Sequence, residues 1–319
     1  MSFRVLGTGR CLPERAVTNA ELERFVDTSD EWIRQRVGVA ERRVCTTETA
    51  ADLAAGAAEA ALQMSGVAAR ELDFILCATI TPDDLSPSLA CMVQSRIGAS
   101  CPAMDVSAAC SGFVYALETA AAFFARGRVK KVLVIGAERL SRSVDWSDRN
   151  TCIIFGDGAG AMVLEEGDNY LASKLTARGC DAVLKIPAFG GASPFWEGGV
   201  EKPYIRMNGQ ETFKFAVGAM VSDLEEVIAA AGLEPEDIAW VIAHQANARI
   251  IDAAARKLGI PFGRFAKNID RYGNTSAASI PILADELCRD GHLKDGDYIA
   301  LTSFGGGLTS AACVLRWGP

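Results

Sequence analysis

The stretch SGVAARELDFIL at positions 65–76 has a counterpart in AGLEPEDIAWVI at positions 231–242. In both stretches a small residue and a glycine precede a charged segment and then an apolar run, at one constant offset of 166 positions. Farther along, Ala125–Lys130 loosely matches Arg289–Lys294, with the glycines 164 positions apart. Short apolar runs can match by chance, but an unbroken offset favours duplication of one unit. We therefore predict two related halves.

Glycine-rich turns and the alternation of elements extend this prediction. Phe155–Gly160 and Phe304–Gly307 each lead into an apolar run typical of a strand. Elsewhere, apolar runs alternate with Ala-rich stretches of helical spacing, which indicates an α/β protein. The predicted strands are Phe74–Ala78, Pro102–Val106, Val132–Gly136, Trp240–Ala243 and Tyr298–Thr302, and the predicted helices are Thr49–Met64, Ser111–Ala125 and Phe215–Ala231. We predict halves at residues 1–170 and 171–319, joined between Gly167 and Lys185.

The composition excludes several classes of function. The chain has 32 Lys and Arg against 40 Asp and Glu, and this net charge of −8 argues against sequence-independent nucleic-acid binding. Its ten cysteines are scattered and its two histidines lie far apart, so neither a disulfide framework nor a zinc cluster is expected. No uncharged apolar run reaches the ~20 residues that span a bilayer, and the N-terminus lacks a signal-peptide pattern. We expect a cytoplasmic protein with no metal and no membrane partner.

Cys110 is the residue best placed for covalent chemistry. It precedes the predicted helix Ser111–Ala125, in which Glu118 is the single charge. A helix that is apolar on nearly every face must be buried, and the unpaired N–H groups at its start favour an anion. We therefore predict that the pKa of the thiol is lowered and that Cys110 is a nucleophile. The alternative is a small buried side chain, as for the other cysteines.

One histidine and one asparagine are candidate partners of Cys110. His244 ends a predicted strand, at the edge of the sheet where α/β proteins place ligands. It corresponds to Ala78 under the repeat offset, so the fold does not require a histidine there. We expect His292, in a charged turn, to face solvent. Asn274 occupies in the second half the place of the Cys110 segment, where it is either a helix N-cap or a donor to a substrate carbonyl.

Seven segments of the chain resemble thiolase-fold condensing enzymes. They are Asp105–Phe113 around Cys110, His244–Asn247, Gly273–Ser279, Phe304–Gly307, Gly7–Pro13, Asp30–Gly38 and Asp148–Gly160, and the likeness extends over essentially the whole chain. The chain is most similar to the β-ketoacyl-[acyl carrier protein] synthase III family, which initiates type II fatty-acid synthesis. The related elongating synthases use two histidines, whereas Asn274 replaces the second one here. The resemblance implies a thiolase-like fold, with two pseudo-symmetric halves in an α-β-α-β-α layered arrangement.

The resemblance also implies a reaction without a cofactor. Cys110 would take the acyl group of an acyl-CoA, with acetyl-CoA as the expected primer, and the N–H groups of Cys110 and Gly306 would form the oxyanion hole. His244 and Asn274 would donate hydrogen bonds to the thioester carbonyl of malonyl-[acyl carrier protein] during decarboxylation. The enolate would then attack the acyl group on Cys110. The implied partners are acyl-CoA, acyl carrier protein and a second copy of the chain in a homodimer.

Residues for substrate binding follow from the same resemblance. The candidates for CoA binding are Trp32, Arg36, Arg149 and Asn247, with Trp32 and Arg149 on either side of the adenine. For Trp32, a core or interface position is equally compatible with the sequence. The candidates for docking of the acidic carrier protein are Lys214, Arg249, Arg256 and Lys257, of which Arg249 matches the family. For Arg256 and Lys257 the sequence favours a solvated helix face.

Ser86 is a departure from the family pattern that bears on specificity. Relatives often have a bulky residue before the proline that is Pro87 here, and that residue reaches into the acyl pocket of the partner subunit. A small gate at Ser86 predicts that primers longer than acetyl are admitted. Two alternatives stay open from the sequence: an acyltransferase or hydrolase that passes the acyl group to another acceptor, and a ketosynthase of specialised metabolism with a longer primer.

Overall fold

The strands and helices of the protein alternate along the chain. The computed structural model describes residues 2–188, 194–195, 199 and 201–318. The strands are β1 (Ser2–Cys11), β2 (Ala16–Thr18), β3 (Glu41–Arg43), β4 (Phe74–Ala78), β5 (Ala103–Val106), β6 (Lys131–Arg139), β7 (Asp157–Gly167), β8 (Tyr170–Cys180), β9 (Leu184–Lys185), β10 (Arg206–Met207), β11 (Ile238–Ala243), β12 (Tyr298–Gly305) and β13 (Gly307–Arg316). The helices are α1 (Asn19–Leu22), α2 (Asp30–Val37), α3 (Ala50–Ser65), α4 (Leu89–Ile97), α5 (Gly112–Ala125), α6 (Gly209–Ala230), α7 (Ala248–Leu258), α8 (Ile269–Tyr272) and α9 (Ser279–Arg289).

Two sheets of matching topology form the framework. The first has the strand order β1-β7-β6-β4-β5 and the second has the order β8-β13-β12-β11. The inner strand pairs of the two sheets have the same orientations. The pairs β4–β6 and β11–β12 are parallel, and the pairs β6–β7 and β12–β13 are antiparallel. A parallel bridge between Val241 and Phe265 lies beside β11, at the position that β5 has beside β4. The second half therefore repeats the first.

The repeated stretches have the same local structure. Gly66 and Gly232 both have a left-handed φ, of 70° and 72°. The 3-10 turns that follow, Ala69–Glu71 and Pro235–Asp237, are displaced by the same 166 positions as the sequences. The predicted duplication is thereby supported by geometry. The division of the chain at residue 170 stays a prediction, which is favoured by the end of β7 at Gly167 and the start of β8 at Tyr170.

The two sheets enclose a central layer of helices. Phe113 and Leu117 of α5, with Ile280 and Leu283 of α9, share one core with residues from both sheets. Alternate residues of a strand point to opposite faces, so Leu76 of β4 lies in this central core while its neighbours pack against α3 and α4 on the outer face. Helices α6 and α7 cover the outer face of the second sheet. These five layers confirm the predicted α/β thiolase-like fold.

The three predicted helices start at other residues than predicted, one residue later for α3 and α5 and six residues earlier for α6. Helix α6 begins at Gly209, six residues before the predicted Phe215, because the side chain of Asn208 caps it by accepting a hydrogen bond from the Glu211 N–H. Helix α5 begins at Gly112, after a 3-10 turn at Ala109–Ser111. In the part of the chain that the structure describes, no helix combines the length and the apolar character needed to cross a membrane.

Candidate active site

Two tight turns face each other at the centre of the molecule. The first elbow, Ala109–Ser111, leads from β5 into α5, and the second elbow, Ser276–Ala278, leads into α9. Each begins with a non-glycine residue of left-handed φ, 48° at Ala109 and 49° at Ser276, a conformation that costs about 1–2 kcal/mol. Strain of this kind is retained where the surrounding structure demands it, often at functional sites. Cys110 is the middle residue of the first elbow and is buried.

A cavity of about 640 Å³ connects the surface with Cys110. Its lining includes the exposed Arg36 and Arg249 and the half-buried Trp32 and Asn247, together with the buried Cys110, His244 and Asn274. The structure thus brings the three residues predicted for catalysis to one cavity, although they come from two halves of the chain. His292, in contrast, is exposed, as expected, and packs beside Trp240.

His244 is held at one of its two ring nitrogens. Its Nδ1 lies 2.7 Å from the hydroxyl of Ser279, and its Nε2 is buried without a hydrogen-bond partner among the described residues. The Ser279 hydroxyl is also 2.7 Å from the carbonyl oxygen of Ser276. Because a carbonyl oxygen only accepts, both contacts are hydrogen bonds at once only when Ser279 donates to Ser276 and accepts from His244 Nδ1–H; Ser279 can otherwise donate to Nδ1 and give up its bond to Ser276. When Ser279 donates to Nδ1, the ring proton is on Nε2, which lines the cavity.

Burial keeps the imidazole uncharged. It lowers the pKa of His244 to about 3, because a charged ring would be removed from water. The ring also contacts Phe304 edge-on at 5.4 Å between centroids. His244 is therefore neutral throughout the physiological pH range and is a weak base. A neutral ring with a proton on Nε2 is suited to donate a hydrogen bond to a developing negative charge.

The pKa of the Cys110 thiol is the opposite of the predicted one. Burial raises the pKa of Cys110 to about 12, the charge of Glu138 adds to the rise, and the Ser276 hydroxyl offsets part of it. The predicted lowering is wrong, because the loss of contact with water outweighs the favourable position before α5. The thiol is therefore neutral near pH 7 and needs a proton acceptor when it attacks.

Asn274 is fixed by its backbone and by its side-chain oxygen. Its N–H donates to the carbonyl oxygen of Ile154 at 2.8 Å, and its own carbonyl oxygen accepts from the Gly156 N–H at 3.0 Å. The side-chain oxygen accepts from the N–H of Ser276 at 2.8 Å. That bond occupies the amide oxygen, so the Nδ2 amino group is the part of Asn274 that remains to donate to a ligand. Asn274 therefore caps the second elbow and does not lie at the start of α9.

The glycines after β12 lie against the nucleophile. A Cβ on Gly305 would lie 2.7 Å from the backbone nitrogen of Cys110, so only glycine permits this approach. Among the described residues, neither the Cys110 nor the Gly306 amide donates to another backbone group. Cys110 and Gly306 also line one cavity. Within the described part of the chain, the two amides predicted for the oxyanion hole therefore have no backbone acceptor and belong to residues of one cavity wall.

A second cavity, of about 960 Å³, meets the first at Cys110. Both cavities are lined by Cys110, Phe155 and Leu184, and the second also includes Leu140, Ile186 and Ile205. Leu85 lines this cavity and is 88% exposed, whereas Ser86, the predicted gate, is exposed and is not part of the lining. Cys110 therefore stands where two substrate-sized spaces join.

Two family models match the chain. They describe 3-oxoacyl-[acyl-carrier-protein] synthase III and its C-terminal part, and they match residues 104–179 and 228–317. The β-ketoacyl-[acyl-carrier-protein] synthase III of Clostridium acetobutylicum is 46% identical over 99% of both chains, and that of Aquifex aeolicus is 47% identical over 99% of this chain and all of its own. This chain belongs to the β-ketoacyl-[acyl carrier protein] synthase III family. The predicted family and the predicted enzyme class, a condensing acyltransferase that starts type II fatty-acid synthesis, are thereby confirmed.

Solved structures of the family superimpose closely on this chain. The Aquifex aeolicus 3-oxoacyl-[acyl-carrier-protein] synthase III has a TM-score of 0.93 at 46% identity and covers 99% of this chain, which covers all of it. The priming β-ketosynthase of the R1128 polyketide pathway also has a TM-score of 0.93, at 33% identity, with 99% of this chain and 96% of that chain covered. In the described residues, no group of His, Cys, Asp and Glu side chains could hold a metal ion.

The residues predicted for binding in this synthase III family member lie at different distances from the site. Trp32, Arg36, Asn247 and Arg249 line the 640 Å³ cavity. The guanidinium of Arg149 lies 5.1 Å from the centroid of the Trp32 ring. The two side chains predicted to enclose the adenine therefore stack on each other in this structure. Lys214, Arg256 and Lys257 are exposed and lie outside this cavity. Arg256 is seven residues after Arg249 on α7 and therefore on the same face of the helix.

Three polar residues of the site were missed by sequence analysis. They are Glu138 at the end of β6, Ser276 in the second elbow and Ser279 at the start of α9. An acidic residue that ends an otherwise apolar strand is a signal that could have drawn attention to Glu138. The two serines lie in the quoted family segment, but nothing in a row of small residues indicates which hydroxyl faces Cys110 or His244.

Proposed function

We propose that this chain condenses an acyl-CoA with malonyl-[acyl carrier protein] through an acyl-Cys110 intermediate. The observation that supports this proposal most strongly is the position of Cys110 at the junction of two cavities. One cavity presents His244 and Asn274, and the other is largely apolar in its depth. A covalently held acyl chain can lie in the second cavity while a second thioester enters through the first. A condensation needs both spaces at once.

In the first half-reaction, Cys110 attacks the thioester carbonyl of the acyl-CoA. The negative charge that develops on the carbonyl oxygen is stabilised by the free amides of Cys110 and Gly306. The tetrahedral intermediate then expels the CoA thiolate and leaves the acyl group on sulfur. Removal of one such donor costs about 3 kcal/mol of transition-state stabilisation in acyl-transfer enzymes.

In the second half-reaction, the malonyl thioester loses CO2. Its carbonyl oxygen accepts hydrogen bonds from His244 Nε2 and Asn274 Nδ2, which stabilise the resulting enolate. Because the pKa of His244 is lowered to about 3, the ring offers a neutral donor and does not protonate the enolate carbon. The carbanion attacks the acyl carbon on Cys110, and the thiolate leaves. Loss of CO2 makes the step irreversible, and no redox or Lewis-acid cofactor is required.

The rim of the first cavity supports a CoA and carrier-protein site. Opening of the Arg149–Trp32 pair would admit an adenine between the two side chains, with Arg36 and Asn247 beside the pantetheine arm. Arg249, over the ring of Phe213 at the rim, and Lys214 are exposed cations for an acidic carrier protein. A cytoplasmic location is part of this proposal.

A homodimer would complete the second cavity. Leu85 is 88% exposed and lines that cavity, so a second copy of the chain seated there would cover its side chain and close the mouth of the cavity. The size of the cavity, about 960 Å³, favours a second candidate function, namely priming with an acyl group longer than acetyl.

One experiment separates condensation from simple acyl transfer. The purified protein is incubated with acetyl-CoA and malonyl-[acyl carrier protein], and CO2 and the 3-oxoacyl product are measured. We expect both products in equal amounts. Acylation of the protein followed by hydrolysis, without a carbon–carbon bond, would instead identify a hydrolase. Repeating the acylation with acyl-CoAs of increasing length then decides between acetyl and longer primers.

A further inference from the structure

Glu138 is a buried carboxylate that the proposed reaction leaves without a role. It lies at the end of β6 and has no exposed surface. Its Oε2 accepts hydrogen bonds from the Thr81 hydroxyl at 2.6 Å and from the Ile80 N–H at 3.2 Å. Its Oε1 accepts from the Ser276 hydroxyl at 3.0 Å. No side-chain cation pairs with it among the described residues, although burying a carboxylate is costly.

The second elbow connects this carboxylate with the nucleophile. Gly136, two residues before Glu138, lets the elbow approach β6, since a Cβ there would lie 2.4 Å from the carbonyl oxygen of Ala277. Ser276, the strained residue of the elbow, lines the second cavity together with Cys110, and its hydroxyl lies near enough to lower the pKa of the thiol. The Ser276 hydroxyl therefore donates to Glu138 and belongs to the same cavity wall as Cys110.

We propose that Glu138 accepts the proton of the Cys110 thiol through the hydroxyl of Ser276. This inference rests on the proposed function of Cys110 as the acylated residue. As the thiol attacks, its S–H bond breaks and the electron pair remains on sulfur. The proton passes to the Ser276 oxygen, and the Ser276 proton passes to Glu138 Oε1. The observed hydrogen bond from Ser276 to Glu138 already has the direction that this transfer requires.

The second half-reaction returns the proton. The departing CoA thiolate takes a proton from solvent, so Glu138 stays neutral while the acyl group is on Cys110. When the enolate attacks, Cys110 leaves as a thiolate, and the proton moves back from Glu138 through Ser276. Glu138 is again a carboxylate, and Cys110 is again a thiol. Every proton is thereby accounted for without His244, which keeps its role as a donor in decarboxylation.

The surroundings of Glu138 suit an acceptor that works near neutral pH. Burial raises the pKa of Glu138 to about 7, and the bonds from Thr81, Ile80 and Ser276 limit the rise. The titratable groups that face it are the thiols of Cys110 and Cys77, both uncharged near pH 7. The neighbouring charges are engaged elsewhere: Arg139 lies 3.7 Å from Asp83, and Asp157 accepts from Ser141 and the Cys45 N–H.

The pH dependence of acylation tests the relay. The single-turnover rate of acetyl transfer from acetyl-CoA to Cys110 is measured by protein mass at pH values between about 5.5 and 9. For the wild type we expect the rate to rise with the ionisation of Glu138. Glu138→Gln and Ser276→Ala should each slow acylation on the order of 10²-fold and flatten this rise. The double variant should be no slower than the single ones, since the two residues act as one unit.

Two further variants distinguish the relay from a purely structural role. Thr81→Val removes a hydrogen bond to the carboxylate, so the midpoint of the pH profile should move upward while the plateau rate is kept. Glu138→Gln, acetylated by long incubation, should lose less in the rate of a single condensation with malonyl-[acyl carrier protein] than in the rate of acylation, because the returning proton is needed only after the carbon–carbon bond has formed. Wild-type pH profiles in Glu138→Gln, or a wild-type acylation rate in a folded Ser276→Ala, would overturn the relay. Failure of the wild type to form the 3-oxoacyl product would overturn the proposed function instead.

Discussion

The two elbows have the same backbone but different side chains. In the first, the residue after the left-handed position is Cys110; in the second, the equivalent residue is Ala277. The second elbow has its polar side chains before that position, in Asn274 and Ser276. The strand ends show the opposite arrangement. The second half has His244 directly after β11, and the corresponding residue of the first half is Ala78, at the end of β4. One half therefore supplies the nucleophile, and the other supplies the groups that assist it.

This difference shows how a duplicated fold can build an asymmetric site. The backbone strain at Ala109 and Ser276 is equal, so it is a property of the fold and not of the chemistry. The chemistry resides in the side chains that each elbow carries, Cys110 in the first and Ser276 in the second. Polar groups of the second half, such as the Ser276 hydroxyl, reach Cys110 because the two elbows pack together at the pseudo-symmetry axis.

The largest expected effect is the loss of the nucleophile from the first elbow. Cys110→Ala should abolish acylation, because it removes the thiol and leaves the first elbow with an alanine, as in the second elbow. Loss of the nucleophile lowers the rate on the order of 10⁶-fold in other acyl-transfer enzymes. The measurement is the protein mass after incubation with acetyl-CoA. Cys101→Ala, a buried cysteine of the same half outside both cavities, is the matched control and should acylate normally. Acylation of Cys110→Ala elsewhere would contradict the division of roles.

Removal of the assisting groups from the second half should separate the two half-reactions. His244→Ala and Asn274→Ala should each lower the rate of condensation by about 10²–10³-fold, since each removes one donor to the enolate. Acylation by acetyl-CoA should change little. Because His244 is neutral down to about pH 3, its titration should leave no inflection in the wild-type decarboxylation rate between pH 5 and 8. An equal loss of acylation in His244→Ala would instead make His244 the base for the thiol.

The sequence predicted the fold and the three central residues, and the structure shows why it predicted less about their environment. The strands Phe74–Ala78 and Tyr298–Thr302 could be predicted because their apolar runs and the repeat offset are local properties. The pKa of Cys110 could not, because burial depends on the packing of the second half over the first elbow. Glu138 escaped notice for the same reason, because its partner Ser276 lies in the other half of the chain. The partner of Ser279 is His244, 35 residues away in the same half, and only the folding of that half brings the two side chains together.

A smaller effect is expected from the hydroxyl that holds His244. Ser279→Ala removes the hydrogen-bond partner of Nδ1, so neither the orientation of the His244 ring nor its tautomer is fixed any longer. A hydrogen bond of this kind contributes ~1 kcal/mol, which corresponds to about a fivefold loss in the rate of condensation. The KM for acetyl-CoA should not change. Ser303→Ala, a buried serine of β12 whose hydroxyl donates to the carbonyl oxygen of Ala311, is the control; an equal loss there would indicate a general packing effect.

The smallest effect is expected at the rim, where side chains of the second half are exposed to solvent. Arg249→Ala should raise the KM for malonyl-[acyl carrier protein] about two- to fivefold, since exposed ion pairs contribute ~0.5–1 kcal/mol. The increase should shrink at high salt because the interaction is screened. With malonyl-pantetheine, which lacks the carrier protein, the KM should change less.

Arg256 lies two helical turns farther along the same face of α7, so Arg256→Ala tests how far the docking surface extends along that helix. If it leaves the KM unchanged, that part of α7 is a solvated surface, and docking is confined to the mouth of the cavity.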